Sequence, residues 1–139
     1  MIQGKASQVF ITGDTVAKVF DRTQSKGYRG SGEQSYQREK ECLKRLEGNI
    51  HFPEIINFDD ENLTIHMSYC GEIFPYDGKP RPELLNQAWE ISEALDNANI
   101  KLYGGTLQKN NLLLHNGIIK LVDFEYALPE GSNLDMEDN

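Results

Sequence analysis

The sequence predicts an α+β fold in which most of the strands are antiparallel. Short β-rich runs occur in pairs separated by turn signals, the clearest being Asn116-Gly117, a dipeptide typical of tight hairpins. Two longer stretches, 33–47 and 83–99, place apolar residues at helical spacing. The order is two strands, a helix, two strands, a linker, a helix and two strands. It lacks the regular strand–helix alternation that builds a parallel sheet.

The first half of the chain contains two predicted strand pairs with a helix between them. Val9–Ile11 and Val16–Phe20 flank a Thr-Gly-Asp-Thr turn, which predicts a hairpin. Glu33–Glu47 is predicted to be a helix because it has a partial apolar face and is followed by Gly-Asn. Pro53–Phe58 and Leu63–Tyr69 are predicted strands joined by an acidic turn.

The second half begins with a predicted linker at 71–82, which holds three of the five prolines and two glycines. Glu83–Asn99 has a broad apolar face, typical of a helix docked on a core. An irregular stretch follows at 103–111. Leu112–His115 and Ile118–Val122 then form the predicted second hairpin.

Composition limits the classes of function. A chain of 139 residues corresponds to one domain, and its net charge of −8 opposes non-specific nucleic-acid binding. No apolar run reaches the roughly 20 residues that span a bilayer, and the first residues lack a signal-peptide core. We therefore expect a soluble cytoplasmic protein with no membrane partner.

Cys42 and Cys70 are expected to be buried free thiols, and the three histidines lack the spacing of metal ligands.

The first seventy residues resemble the upper lobe of the protein-kinase-like fold. Val16-Ala-Lys-Val looks like the strand that carries the phosphate-binding lysine of that fold, which implies this role for Lys18. Glu39 matches the helix glutamate that pairs with this lysine. Because Glu41 and Glu47 lie on the same helix, a solvated acidic face is the alternative for Glu39.

The N-terminal segment resembles two particular groups of kinases. Gln3–Ser7, with Lys26–Arg29 further on, is similar to RIO-type kinases and to the small kinase of the tRNA threonylcarbamoylation complex. These families use a reduced phosphate-covering loop. The resemblance implies that Gly4 and Ser7 lie near a bound nucleotide, with Ser7 where a further glycine would stand.

Two other segments extend the resemblance over nearly the whole chain. Met67–Gly71 resembles the hinge between kinase lobes, where backbone groups of Ser68 and Cys70 would face an adenine edge; an ordinary strand end is the alternative. Leu121–Ala127 looks like the metal-binding segment of choline kinases and aminoglycoside phosphotransferases, which makes Asp123 the Mg²⁺ ligand. An isolated structural acid after a strand is the alternative for Asp123. Asn111 matches the catalytic-loop asparagine, which would supply a neutral oxygen to a second metal ion.

The resemblance fails at the catalytic base. The catalytic aspartate is expected five positions before Asn111, but Thr106 stands there, and no Asp or Glu lies between Asp96 and Asp123.

Two functions remain open. The first is an ATP- and Mg²⁺-binding phosphotransferase that transfers a phosphoryl group slowly, or in degenerate form, to an unknown hydroxyl acceptor. The second is an inactive pseudokinase that acts as a protein-binding, regulatory or decoy module.

The resemblance implies a single minimal kinase-like domain over 1–139. Its parts would be an N-lobe at 1–70, a hinge at 71–82 and a reduced C-lobe at 83–139, formed by one long helix and a β-hairpin. Only sixteen residues follow Asp123, so the remaining C-lobe helices of the family are expected to be absent. The 83–99 helix is then expected to expose apolar surface to a protein partner or to a second copy of the chain.

Overall fold

The computed structural model describes residues 7–23, 31–74, 82–102, 111–124 and 127–131. These residues form two helices and three antiparallel sheets, so the α+β prediction is confirmed. The elements, in chain order, are β1 Ser7–Thr12, β2 Thr15–Phe20, α1 Gly32–Arg45, β3 Ile55–Asp59, β4 Thr64–Ser68, β5 Glu72–Ile73, α2 Pro82–Asn97, β6 Ile100–Lys101, β7 Leu112–His115, β8 Ile118–Leu121 and β9 Leu128–Pro129.

The N-terminal sheet has four strands in the order β1-β2-β4-β3, and all its neighbours are antiparallel. Both predicted strand pairs of this half are confirmed. The central position of β2 determines where Lys18 lies. Val9 of β1 and Ile65 of β4 lie on either side of Lys18, so the lysine stands in the middle of one sheet face.

Helix α1 packs against this sheet and begins at a capping box. The Ser31 side chain accepts from the Gln34 N–H, and the Gln34 side chain accepts from the Ser31 N–H. Further along the helix, Tyr36 donates a 2.5 Å hydrogen bond to Asp60 in the β3–β4 turn, and Lys40 donates to the same carboxylate at 2.8 Å. These bonds, first that from Lys40, hold the pKa of Asp60 below its usual value. They fix the rotation of α1 on the sheet.

Both cysteines are free and buried, as predicted. Burial raises the pKa of the Cys42 thiol to about 12 and also raises the pKa of the Cys70 thiol. The reactive thiolate is therefore scarce at pH 8. We expect neither cysteine to react readily with DTNB at pH 8 in the native protein, and both to react in guanidinium chloride. Fast labelling of native protein would contradict the burial.

The C-terminal sheet has the order β5-β7-β8. The β7–β8 hairpin turns at Asn116 and Gly117, whose φ angles are 54° and 82°, as a two-residue turn with two positive φ values requires. Strand β5 lies within the predicted 71–82 linker and pairs with β7 through Glu72 and Ile73. A strand of two residues is too short to show the alternation of apolar and polar residues by which strands are recognised in a sequence.

Helix α2 packs on β8, and the short pair β6–β9 follows it. The predicted 83–99 helix is confirmed within two residues at each end. Strands β6 and β9 were not predicted, because each has only two residues. The apolar core is continuous from the N-terminal sheet and α1 to α2 and β8. Neither helix in the described ranges has the length and apolar character that a membrane span needs.

Gly71 is required where the chain passes from β4 to β5. Its φ is +101°, and a Cβ at this position would lie 2.1 Å from the carbonyl oxygen of Leu114 in β7. Gly71→Ala is therefore expected to destabilise the protein by about 1–3 kcal/mol, measured by chemical denaturation. Gly13→Ala is the matched control, since Gly13 also has a positive φ but nothing lies near its missing Cβ. Equal costs for the two variants would contradict the steric argument.

Candidate functional site

Lys18 lies at the centre of a buried charged cluster. Its Nζ donates to Glu39 Oε1 at 2.7 Å and to Asp123 Oδ1 at 3.2 Å. The lysine is only 4% exposed, and its amine lies 5.4 Å from the centre of the Phe20 ring. One cation thus joins carboxylates from α1 and from the chain after β8. Such an arrangement holds the amine in a single orientation.

Glu39 is 1% exposed, so the alternative of a solvated helix face is wrong for this residue. Helix α1 instead turns Glu39 toward the sheet, while Glu41 pairs with Arg45 on its own helix at 3.0 Å. The difference follows from helical geometry. Residues two apart on a helix point in different directions, and the Tyr36 and Lys40 bonds to Asp60 fix which direction is inward.

Asp123 lies two residues beyond the end of β8, and its side chain is 19% exposed. Its φ of 76° is in the left-handed region, which costs free energy in any residue with a Cβ. The structure tolerates this strain beside the charged cluster. Asn111 is brought close by the hairpin register, because Val122, the neighbour of Asp123, donates its N–H to the Asn111 carbonyl at 2.9 Å.

A cleft of about 780 Å³ lies beside the charged cluster, between the N-terminal and C-terminal sheets. Lys18, Glu39, Asn111 and Asp123 all contribute to its wall. Most of the remaining wall is apolar. The apolar lining residues include Val9, Ile11, Val16, Met67, Ile73, Leu102, Leu113, Leu121 and Ala127. The cleft therefore combines an apolar volume with a charged group.

Sequence reasoning missed these apolar lining residues. For β1 a signal was present, since Val9 and Ile11 alternate and pair with Lys18 and Val16 of β2. Residues directly opposite each other in neighbouring strands share a face of the sheet. The predicted hairpin therefore placed both β1 residues on the lysine face. The C-terminal residues Leu102 and Ala127 had no comparable signal, because β6 and β9 were not recognised.

Ser68 and Cys70 also line the cleft, at the point where β4 ends. The Ser68 N–H is used within the sheet, donating to the Glu54 carbonyl at 2.9 Å. The Ser68 carbonyl receives only the weak Cys70 thiol donor, at 3.7 Å, among the bonds between described residues. Among the same residues, the Cys70 N–H has no hydrogen-bond acceptor. This cleft wall thus offers a backbone acceptor and a backbone donor.

No family model matches the sequence, and no curated protein matches it. Among solved structures, a co-crystal structure of WbdD and a kinase inhibitor matches with a TM-score of 0.64 and 15% sequence identity. The chain is similar in fold to WbdD. The similarity covers 91% of this chain and 32% of the WbdD chain, so this chain spans about a third of that protein's length. The shared α+β architecture is consistent with the kinase-like fold that the sequence resemblance implies.

The remaining predicted site residues have different outcomes. Ser7 begins β1 but is not among the described residues that line the cleft. Gly4 and Thr106 lie outside the described residues. The structure therefore brings together Lys18, Glu39 and Asp123 in direct contact. It places Asn111, Ser68 and Cys70 on the wall of the same cleft.

Proposed function

We propose that this protein binds ATP with Mg²⁺ in the cleft and is a kinase-like phosphotransferase whose transfer to a hydroxyl acceptor is slow. The observation that carries the proposal is the contact of Lys18 with both Glu39 and Asp123 on the wall of an apolar cleft. A lysine fixed by a helix carboxylate is a suitable ligand for nucleotide phosphates, and an aspartate beside it is a suitable ligand for their cation.

The end of the cleft at Ser68 and Cys70 suits an adenine ring. Adenine presents an exocyclic amino donor next to a ring-nitrogen acceptor, which complements the Ser68 carbonyl and the Cys70 N–H. Guanine presents the opposite pattern, a carbonyl acceptor next to an N–H donor. Apolar side chains such as Val9, Val16 and Met67 would cover the faces of the ring.

The charged end suits the phosphates only together with a cation. Lys18, Glu39 and Asp123 sum to one negative charge when all three are ionised, which repels a bare triphosphate. Mg²⁺ is commonly held by one or two protein oxygens plus substrate phosphates, so Asp123 and Asn111 fit this ion. When bound, the ion would neutralise phosphate charge. Among the described residues, no three His, Cys, Asp or Glu side chains form a metal-binding group, so phosphate oxygens would complete the coordination.

Nucleotide titration tests this proposal. We expect ATP with Mg²⁺ to bind more tightly than GTP with Mg²⁺ by about tenfold or more, because guanine leaves buried donors and acceptors unpaired. ATP in EDTA should bind more weakly than ATP with Mg²⁺. Isothermal titration calorimetry measures all three. Equal affinities for ATP and GTP would contradict the adenine contacts, and no binding of any nucleotide would overturn the proposal.

A second candidate function is that of a protein-binding module, and an exposed surface of α2 favours it. Leu85 and Trp89 lie one turn apart on α2 and are 65% and 73% exposed. The exposed charged residues that the structure describes in α2 are all acidic, Glu90, Glu93 and Asp96, with Glu93 one turn beyond Trp89, and α2 contains no lysine or arginine. Charge complementarity favours a partner segment with apolar side chains flanked by basic ones. A second copy of the chain, itself at −8, is disfavoured.

Fluorescence of Trp89, the single tryptophan of the chain, tests this second candidate directly. An amphipathic Leu/Lys helical peptide should shift the emission to the blue with saturable binding, and Leu85→Glu should abolish the shift. A Leu/Glu peptide of equal length is the control. Equal responses to the two peptides would contradict the charge argument, and concentration-dependent dimerisation without peptide would favour a second copy instead.

A further inference from the structure

Strand β8, which leads to Asp123, has one edge that no other strand covers in the described sheet, since the order is β5-β7-β8. Residues 50 and 51 cover the end of that edge nearest Asp123 with three hydrogen bonds, whereas the Gln87 side chain of α2 accepts from the Ile119 N–H at 2.8 Å and donates to the Gly117 carbonyl at 3.0 Å. The Leu121 N–H donates to the His51 carbonyl at 2.8 Å, and Lys120 Nζ donates to the Ile50 carbonyl at 2.6 Å. The third bond joins His51 Nδ1 to the Ile119 carbonyl at 2.9 Å.

The His51 side chain replaces a backbone group in this contact. In a parallel bridge, one residue would accept from the Leu121 N–H and donate its own N–H to the Ile119 carbonyl. His51 accepts the first bond with its carbonyl, but its N–H is directed to Asn49 Oδ1 at 2.9 Å. The ring Nδ1–H takes the vacant place at Ile119. Because a carbonyl can only accept, this contact requires that Nδ1 carry a proton.

Helix α2 fixes the imidazole ring from the other side. His51 Nε2 lies 2.8 Å from Glu90 Oε1, and the histidine is only 4% exposed. Both ring nitrogens thus face acceptors, and the ring cannot rotate without losing a bond. His51 therefore links three parts of the chain: the segment after α1, the β8 edge and α2.

The same segment contacts the chain on both sides of Asp123. Leu121, held by His51, lies two residues before Asp123. Phe124, the next residue, packs against Phe52 with 6.0 Å between the ring centres. Asp123 lies between these two contacts with its strained φ of 76°. Strained residues persist only where the surrounding structure over-determines them.

We propose that His51 is a positioning residue for Asp123. The imidazole bonds the edge of β8 and so fixes the backbone that leads to Asp123. The Asp123 carboxylate is then held at a distance from Lys18 that leaves it able to bind a cation on the phosphates. The inference rests on the proposed function, because it assigns to Asp123 the role of cation ligand. Loss of a group that orients a metal ligand typically weakens metal affinity about 10–100-fold.

His51→Leu tests the inference, since it keeps the backbone bonds and removes both bonds of the ring. At a temperature where all variants are folded, we expect affinity for ATP with Mg²⁺ to fall about 10–100-fold. Affinity for ATP in EDTA should be nearly unchanged. His51→Asn, whose amide can donate to the Ile119 carbonyl, should restore most of the Mg²⁺-dependent affinity. Arg45→Ala is the stability control, because it removes hydrogen bonds to Glu41 and to the Ala98 carbonyl without touching β8 or the cleft wall.

An equal loss of affinity with and without Mg²⁺ in His51→Leu, or no loss in either condition, would overturn the positioning role. If His51→Leu does not fold, Glu90→Ala provides a partial comparison, since it removes one of the two bonds of the ring and leaves the Ile119 bond and every backbone bond; a smaller loss, again confined to the Mg²⁺-dependent affinity, is then expected. Wild-type protein that binds no ATP would refute the proposed function separately. In that case amide hydrogen exchange tests whether His51 holds the backbone around Asp123. The exchange rate at 121–124 should rise in His51→Leu, and an unchanged rate would overturn the positioning role.

Discussion

Lys18→Met is expected to destabilise the protein by about 3–5 kcal/mol near neutral pH, because it removes the amine that pairs with a buried carboxylate. Glu39 is 1% exposed, so water cannot replace the lost contact at its original position. The methionine fills similar volume, which keeps the cost of a cavity small. Urea denaturation measures the loss, and the variant should also fail to bind ATP with Mg²⁺.

Asp123→Asn separates binding from stability. Asp123 is more exposed than Glu39, and Lys18 keeps its 2.7 Å contact with Glu39 when the second carboxylate is neutralised. We expect the variant to fold with nearly wild-type stability. A ligand at 100 times its Kd stabilises by about 2.7 kcal/mol, or roughly 5–10 °C in a domain of this size. That shift with ATP and Mg²⁺ should disappear, and a full shift would refute Asp123 as the cation ligand.

Thr106→Asp is expected to raise the rate of phosphoryl transfer from ATP about 10²–10⁴-fold. The resemblance to kinases places the catalytic base at this position, and a threonine hydroxyl cannot accept a proton near neutral pH as a carboxylate can. Under the proposed function we expect a wild-type turnover of roughly 10⁻⁴–1 s⁻¹, compared with about 1–100 s⁻¹ for typical kinases. Release of ADP from labelled ATP, with water as the acceptor, measures the gain.

Thr106→Asn is the matched control, because it has the size of aspartate without the carboxylate and should stay at the wild-type rate. Thr106→Asp combined with Asp123→Asn should also stay slow, since the cation ligand is missing. A wild-type rate in the ordinary kinase range would show that the base does not correspond to position 106. Equal gains in the aspartate and asparagine variants would exclude proton transfer as their cause.

The sequence predicted the elements whose signals are local. The Asn116-Gly117 turn predicted the second hairpin, and the partial apolar face of 33–47 with the Gly-Asn that follows it predicted α1. The resemblance to kinases also selected Lys18, Glu39 and Asp123, which the fold brings into contact. Lys18 lies in β2, Glu39 lies in α1 and Asp123 follows β8, and the resemblance, not a periodicity, pointed to each of them.

The missed features depend on contacts that are distant along the chain. Strand β5 exists because Gly71 lets the backbone approach Leu114, more than forty positions away, and no local pattern indicates this pairing. From the sequence, His51 was considered only as a possible metal ligand. Its partners Ile119 and Glu90 are 68 and 39 residues away, so its role could not be derived from its neighbours in sequence.

The contact between Lys18 and Asp123 spans 105 residues of the chain. Closing so large a loop has an entropic cost that must be offset by contacts elsewhere, so this ion pair forms only when both sheets have assembled. A partly folded molecule, or one cut by a protease within that span, would lack the paired charges. Ligand binding would then act as a check on the completeness of folding, and it would protect the mature molecule against proteolysis.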